Sequence, residues 1–171
     1  MTITIIGMPA VGKTCMGRAI SKKLNMRTLD GDKLIEKTTG RKLQDIINED
    51  GIERFKQIEE EILLSIKDDN VIITPGGSAV YYERVMNHFK KMGIVVYLYA
   101  GVETIIERLG DFSKRGVVLP EGYTVYDLYN ERVPLMEKYA DVTVSCDGTA
   151  FSKYQADAVK KIKEYINANG R

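Results

Sequence analysis

Tryptophan is absent from this chain, histidine occurs once, cysteine twice and proline four times in 171 residues. One histidine (His88) and two distant cysteines (Cys15, Cys146) cannot supply the clustered ligands of a structural zinc site. They suit a reducing compartment better than a disulfide framework. Apolar runs are short: none approaches the length of a membrane span, and the N-terminus opens on a β-rich run in place of a secretory leader. The expectation is a cytoplasmic protein that works away from membranes. An excess of charge is also missing, since 25 Lys and Arg face 24 Asp and Glu for a net charge of +1. No global field then recruits nucleic acid, and the Lys160, Lys161 and Lys163 cluster reads as a solvated face. Low-complexity segments and internal repeats are missing too, so residues 1–171 are expected to form one domain with one core, working as a monomer.

What the chain does contain is Gly7-Met8-Pro9-Ala10-Val11-Gly12-Lys13-Thr14, which fits the phosphate-binding loop G-x-x-x-x-G-K-[ST] at every fixed position. Its setting fits as well. The run Thr2 to Ile6 reads as a strand, and Met16, Ala19, Ile20 and Leu24 recur at helical spacing behind the loop. In a strand, loop, helix order the loop amides and the helix N-terminus converge on an anion. Lys13 would reach the β- and γ-phosphates of a nucleotide, and the Thr14 hydroxyl would sit on a Mg²⁺ bridging them. Ala10 stands where many such loops carry glycine, and its methyl is tolerable if φ stays negative. Cys15, at the helix N-terminus, is read as a buried, inert thiol in preference to an activated one.

Further along, Arg27 to Asp30 and the stretch Gly31 to Glu36 read as a brief strand in which Asp30 and Asp32 alternate around a glycine. Lys42 to Glu49 is a short helix with Leu43, Ile46 and Ile47 inward. A longer one from Gly51 puts Ile52, Phe55, Ile58, Ile62 and Ile66 on its buried face and Glu59, Glu60 and Lys67 outside. Val71 to Thr74 is a strand of buried type, stopped by Pro75-Gly76-Gly77-Ser78. Helices follow at Tyr82 to Met92 and Val102 to Leu109, with the strand Ile94 to Tyr99 between them. Residues 110–124 lose all periodicity and read as a mobile loop. A helix from Val125 to Tyr139 disturbed by Pro134, a strand Val142 to Val144 and a helix Phe151 to Asn167 complete the alternation. His88 reads as a surface side chain, and Tyr123, Tyr126 and Tyr129 as helix packing. Alternating strands and helices imply a parallel sheet covered on both faces, with ligands gathered at the strand carboxyl ends. Four places meet that condition: the loop at Gly7, Asp30 with Asp32, the Gly76-Gly77 turn and the segment after Tyr99.

Taken in order, these residues resemble the shikimate kinase family, a small branch of the phosphate-loop kinases. The resemblance covers essentially the whole chain. It is carried by Gly7 to Thr14, Asp30-Gly31-Asp32 with Ile35-Glu36, Asp50-Gly51 with Phe55-Lys56 and Ile58-Glu59-Glu60, Gly76-Gly77, Arg108, Arg115, Arg132-Val133-Pro134 and Tyr139-Ala140-Asp141. It implies a P-loop NTPase fold, α/β in three α/β/α layers with a five-stranded parallel sheet and a mobile lid near 110–124. Substrate-binding helices would lie near 31–62. It further implies transfer of the ATP γ-phosphoryl to a hydroxyl of a small hydroxylated acid within the shikimate pathway, with ATP and Mg²⁺ required. Gly7, Ala10, Val11, Gly12, Lys13, Thr14 and Cys15 would surround the phosphates, and Asp30 would act behind the metal through water. Asp32 would hold the acceptor hydroxyls as candidate base, Arg132 would clamp its carboxylate, and Gly76, Gly77 and Ser78 would offer the turn. Arg115 in the lid would close over the phosphates, and Arg108 would lie against the adenine.

The physics of phosphoryl transfer asks for these same groups: cations around spreading charge and a carboxylate near the nucleophile. Departures from the family pattern lie mostly on the acceptor side. Lys56 replaces a second carboxylate-binding arginine whose orienting partner is Glu59, giving a point charge in place of a fork. Ile47 replaces an aromatic wall, Ser78 a third glycine, and Arg115-Gly116-Val117-Val118 a stiffer lid motif. These changes leave three expectations side by side: a shikimate kinase with a variant pocket, a kinase of this fold for another small hydroxy acid, polyol or amino alcohol, or a nucleotide-binding module without turnover.

Overall fold

Thr2–Gly7 forms strand β1, and all of its residues are buried, the fate of an uncharged Ile/Thr run in a sheet covered on both faces. The computed structural model describes residues 1–110, 122–148 and 150–170. Its other strands are β2 (Arg27–Asp30), β3 (Val71–Thr74), β4 (Gly93–Tyr99) and β5 (Val142–Ser145). The five run parallel in the order β2-β3-β1-β4-β5. The helices are α1 (Lys13–Leu24), α2 (Gly31–Thr39), α3 (Leu43–Asp50), α4 (Ile52–Ser65), α5 (Glu83–Met92), α6 (Val102–Leu109), α7 (Val125–Tyr139) and α8 (Phe151–Ala168), with a short 3-10 turn at Ala79–Tyr81.

Strand order fixes where the helices go. From β1 the chain steps outward to β2, whereas β2 to β3, β3 to β4 and β4 to β5 all step the opposite way. Right-handed crossovers therefore put α1 on one face and α4, α5 and α7 on the other. The contacts agree: α1 packs with α8, and α5 lies on β1 and β4 with α4 beside it. The main core joins both layers through Ile3, Ile5, Ile72, Val95 and Phe89, all fully buried. A second, smaller core of Ile35, Ile46, Phe55 and Ile62 is private to α2, α3 and α4. Because β1 reverses the winding direction, the crevice at the carboxyl ends of β1 and β3 opens between its loops.

Several expectations need correcting. The strand expected to run on to Glu36 stops at Asp30, whose carboxylate accepts from the Lys33 amide at 3.3 Å and caps α2. On α4 the buried stripe is Phe55, Glu59, Ile62 and Leu63, while Ile52 is 41% exposed. The helix is rotated because it packs against α3, α2 and α5 at once. Ala10 has φ 62°, in the left-handed region, so the loop imposes a conformation suited to glycine on an alanine. Cys15 is exposed and free, because the first turn of α1 faces the cleft. His88 is half-buried, and its Nε2 lies 2.7 Å from the Ile66 carbonyl oxygen, to which it donates. Helix α7 runs through Pro134 without ending.

Candidate active site

Asp30 and Thr74 are register partners at the ends of β2 and β3, so the loops that follow them and the loop after β1 open at one level. Between them lies a cleft of about 870 Å³. It brings together Ala10, Gly12, Lys13, Thr14 and Cys15 from the phosphate loop, Asp30 and Asp32, Gly76, Gly77 and Ser78, and Arg132. Gly7 closes β1, and Val11 is buried in the core beneath the loop. Arg115 and residues 111–121 of the expected lid near 110–124 lie outside the described residues.

Gly12 at φ 101° lets the loop turn into α1 without a side-chain cap, which leaves the helix N-terminus open for an anion. The Lys13 ammonium donates to the Gly7 carbonyl at 2.9 Å and to the Met8 carbonyl at 3.2 Å, curling back over the loop. Burial lowers its pKa to about 8, against the opposing pull of Asp32 and Asp30. Asp32, in the first turn of α2, is pushed the other way: burial first, then the charge of Asp30, hold its carboxyl above the usual range while Lys13 pulls it down. A carboxylate so raised is a better proton acceptor. Thr14 donates through its hydroxyl to Asp30 Oδ2 at 3.2 Å, joining α1 to β2.

The Gly76-Gly77 turn is glycine for reasons of space. A Cβ at 76 would lie 2.9 Å from Glu59 Oε1 and 3.1 Å from Asp32 Oδ1, and one at 77 would lie 2.8 Å from Arg132 Nη1. Three charged groups from three elements therefore crowd one turn. Helix α7 is started by a capping box in which Thr124 accepts from the Asp127 amide and Asp127 from the Thr124 amide. That start sets the register that turns Arg132 toward the cleft.

Lys56 is not brought in. It is exposed, and its ammonium donates to Glu53 at 2.7 Å. Arg108 lies apart from the cleft wall and donates to the Cys146 carbonyl at 2.8 Å. The cleft also recruits residues that periodicity misplaced or passed over: Glu59, expected outside, is 1% exposed, and Leu43, Ile47 and Phe55 form an apolar wall. The signal for Glu59 was in the spacing, because 55, 59, 62, 63 and 66 cover a narrower arc of a helix than the expected 52, 55, 58, 62 and 66. Tyr129 donates to the Ala100 carbonyl and packs against the main core as expected, whereas Tyr126 is 48% exposed and donates to Glu103 at the surface.

The sequence pattern of the shikimate kinase family matches residues 9–166. A shikimate kinase from Bacillus cytotoxicus is 42% identical over 169 residues, 97% of this chain and 98% of that relative. One from Thermodesulfovibrio yellowstonii is 36% identical over 174 residues, 99% of this chain and 98% of its own. Among solved structures, shikimate kinase from Acinetobacter baumannii in complex with shikimate matches with a TM-score of 0.81 at 29% identity, covering 98% of this chain and 93% of that one. On sequence and on fold alike, this chain belongs to the shikimate kinase family.

Proposed function

We propose that the protein is an ATP-dependent shikimate kinase, transferring the γ-phosphoryl of ATP to a shikimate hydroxyl to give shikimate 3-phosphate and ADP. The observation that carries the reading is one cleft with Lys13 and the phosphate loop facing Asp32 and Arg132, in a chain of this family. The acceptor carboxylate lies against Arg132, its ring against Leu43, Ile47 and Phe55, and the reacting hydroxyl against Asp32. Asp32 takes the hydroxyl proton as the oxygen bonds to the γ-phosphorus, and the bond from that phosphorus to the β–γ bridging oxygen breaks to release ADP. Lys13 leaves the loop carbonyls to neutralise charge on the phosphates, and Arg115 adds a second cation. Arg108 covers the adenine. Lys56, outside the cleft wall, acts as an auxiliary cation toward the acceptor carboxylate only by leaving its exposed pairing with Glu53, which is worth no more than about 1 kcal/mol.

The described residues hold no cluster of three or more His, Cys, Asp or Glu suited to a metal ion. The hydroxyl of Thr14 beside Asp30 instead fits a Mg²⁺ that is held largely by phosphates and water, with Asp30 acting through water. When bound, the ion supplies charge stabilisation on the phosphates. No helix among the described residues is long and apolar enough to cross a membrane. The free thiols of Cys15 and Cys146 favour a reducing, cytoplasmic setting, and a cleft built within one chain favours work as a monomer.

The test is ADP release over a panel of acceptors: shikimate, quinate, gluconate and small amino alcohols, each with ATP and Mg²⁺. The expected result is turnover with shikimate at least about 100-fold above the others, the discrimination a site built for a polar ligand can reach. Turnover confined to another acceptor would contradict the assignment.

A further inference from the structure

The 3-10 turn after β3 ends on Tyr81, and with Tyr82, which follows it, presents two adjacent tyrosines to different charged groups of the cleft. Tyr82 donates its hydroxyl to Glu59 Oε2 at 2.7 Å, and Ser78 donates to both oxygens of the same carboxylate at 2.8 and 2.7 Å. Tyr81 does the corresponding work on the far side. The Arg132 Nε donates to the Tyr81 oxygen at 3.1 Å, the guanidinium lies 5.2 Å from the Tyr81 ring centroid, and the Tyr81 hydroxyl is hydrogen-bonded to Glu131. The open faces of Gly76 and Gly77 lie against Glu59 and Arg132 respectively. Each charge is thus gripped twice by residues 76–82.

We propose that Tyr81 and Tyr82 are positioning residues of the acceptor pocket, Tyr81 fixing Arg132 against the acceptor carboxylate and Tyr82, with Ser78, fixing the buried Glu59 carboxylate beside Asp32. The inference rests on the reading of this cleft as the acceptor site. A buried carboxylate is costly to leave without donors, and the Glu59 partners among the described contacts are hydroxyls. A guanidinium on a flexible stem loses less entropy on binding a carboxylate when an aromatic face and an acceptor already hold it.

The test is steady-state kinetics of Tyr81→Phe, Tyr81→Ala and Tyr82→Phe with shikimate and with ATP, alongside thermal melting. Tyr82→Phe and Tyr81→Phe each remove one hydroxyl and keep the ring, and each should raise KM for shikimate about three- to thirtyfold. KM for ATP should stay within about twofold, because neither residue is among those lining the cleft at the phosphate loop. Tyr81→Ala, losing the ring face as well, should exceed Tyr81→Phe. The side chains facing Glu59 are Ser78, Tyr82, Asp32 and Arg132. Burial raises its carboxyl and the two hydroxyls hold it down, so Tyr82→Phe should also move the acid limb of kcat/KM for shikimate to higher pH. Unchanged shikimate KM in both Phe variants, or equal changes for shikimate and ATP, would overturn the proposal. A wild-type enzyme inert toward shikimate would overturn the functional reading and this inference with it. An active wild type with indifferent Phe variants would overturn this inference alone.

Discussion

Lys13 sits with its ammonium on the carbonyls of Gly7 and Met8 and with its pKa brought down by burial to about 8. The consequence at the scale of one residue is a pH-dependent grip on nucleotide. Phosphates favour the charged amine, so below pH about 8 the free protein already carries the proton that binding needs. Above it, binding must take up a proton, and the ATP affinity should fall by as much as tenfold per pH unit. Calorimetry in buffers of different ionisation enthalpy should show proton uptake appearing between pH 8 and 9. Constant affinity and no uptake across that range would contradict the placement of Lys13. The motif residues were legible in the sequence because the phosphate loop needs each at a fixed spacing. The conformation of Ala10 was not, since only the folded loop reveals φ 62° at a position where an alanine can still be accommodated. Glu59 was misplaced because a charged residue is expected outside, and only the donors Ser78 and Tyr82, far along the chain, make its burial tolerable.

Among the elements, the turn after β3 has the largest leverage on the site. A methyl at position 77 would meet Arg132 Nη1 at 2.8 Å, the far end of a flexible side chain rather than backbone. Gly77→Ala should therefore displace the guanidinium without breaking the fold. The expected outcome is a rise in KM for shikimate of about tenfold, with KM for ATP and the melting midpoint nearly unchanged. A melting midpoint lowered by more than about 4 °C, roughly what 1 kcal/mol produces in a chain of this size, would show that the turn itself had moved. Element types were readable where period and punctuation agreed, as in β1, β3, α6 and α8. The start of α2 was hidden because the stretch Gly31 to Glu36 reads as a strand. It becomes a helix because the Asp30 carboxylate accepts from the Lys33 amide, and glycine suits position 31 because a Cβ there would lie 3.0 Å from Pro75 Cα.

At the scale of the molecule, the parallel order β2-β3-β1-β4-β5 delivers the ends of β1, β2 and β3 to one crevice, and α7 adds Arg132 from the far side of the sheet order. The separate core of α2, α3 and α4 makes the apolar wall of the cleft a packed unit of its own. The architecture followed from alternating patterns and handedness, which require no knowledge of contacts. The meeting of Asp32, Glu59 and Arg132 at Gly76-Gly77 did not, because those residues are up to 100 positions apart and nothing local ties them together. The central claim is that this convergence puts a proton-accepting carboxylate opposite the nucleotide loop. Its most direct test is Asp32→Asn, measured for kcat with saturating shikimate and for ATP dissociation constant. The account predicts kcat lower by about 10²- to 10⁴-fold, the usual worth of a positioned general base, with ATP affinity within about threefold of wild type. An Asp32→Asn enzyme turning over at the wild-type rate would contradict it.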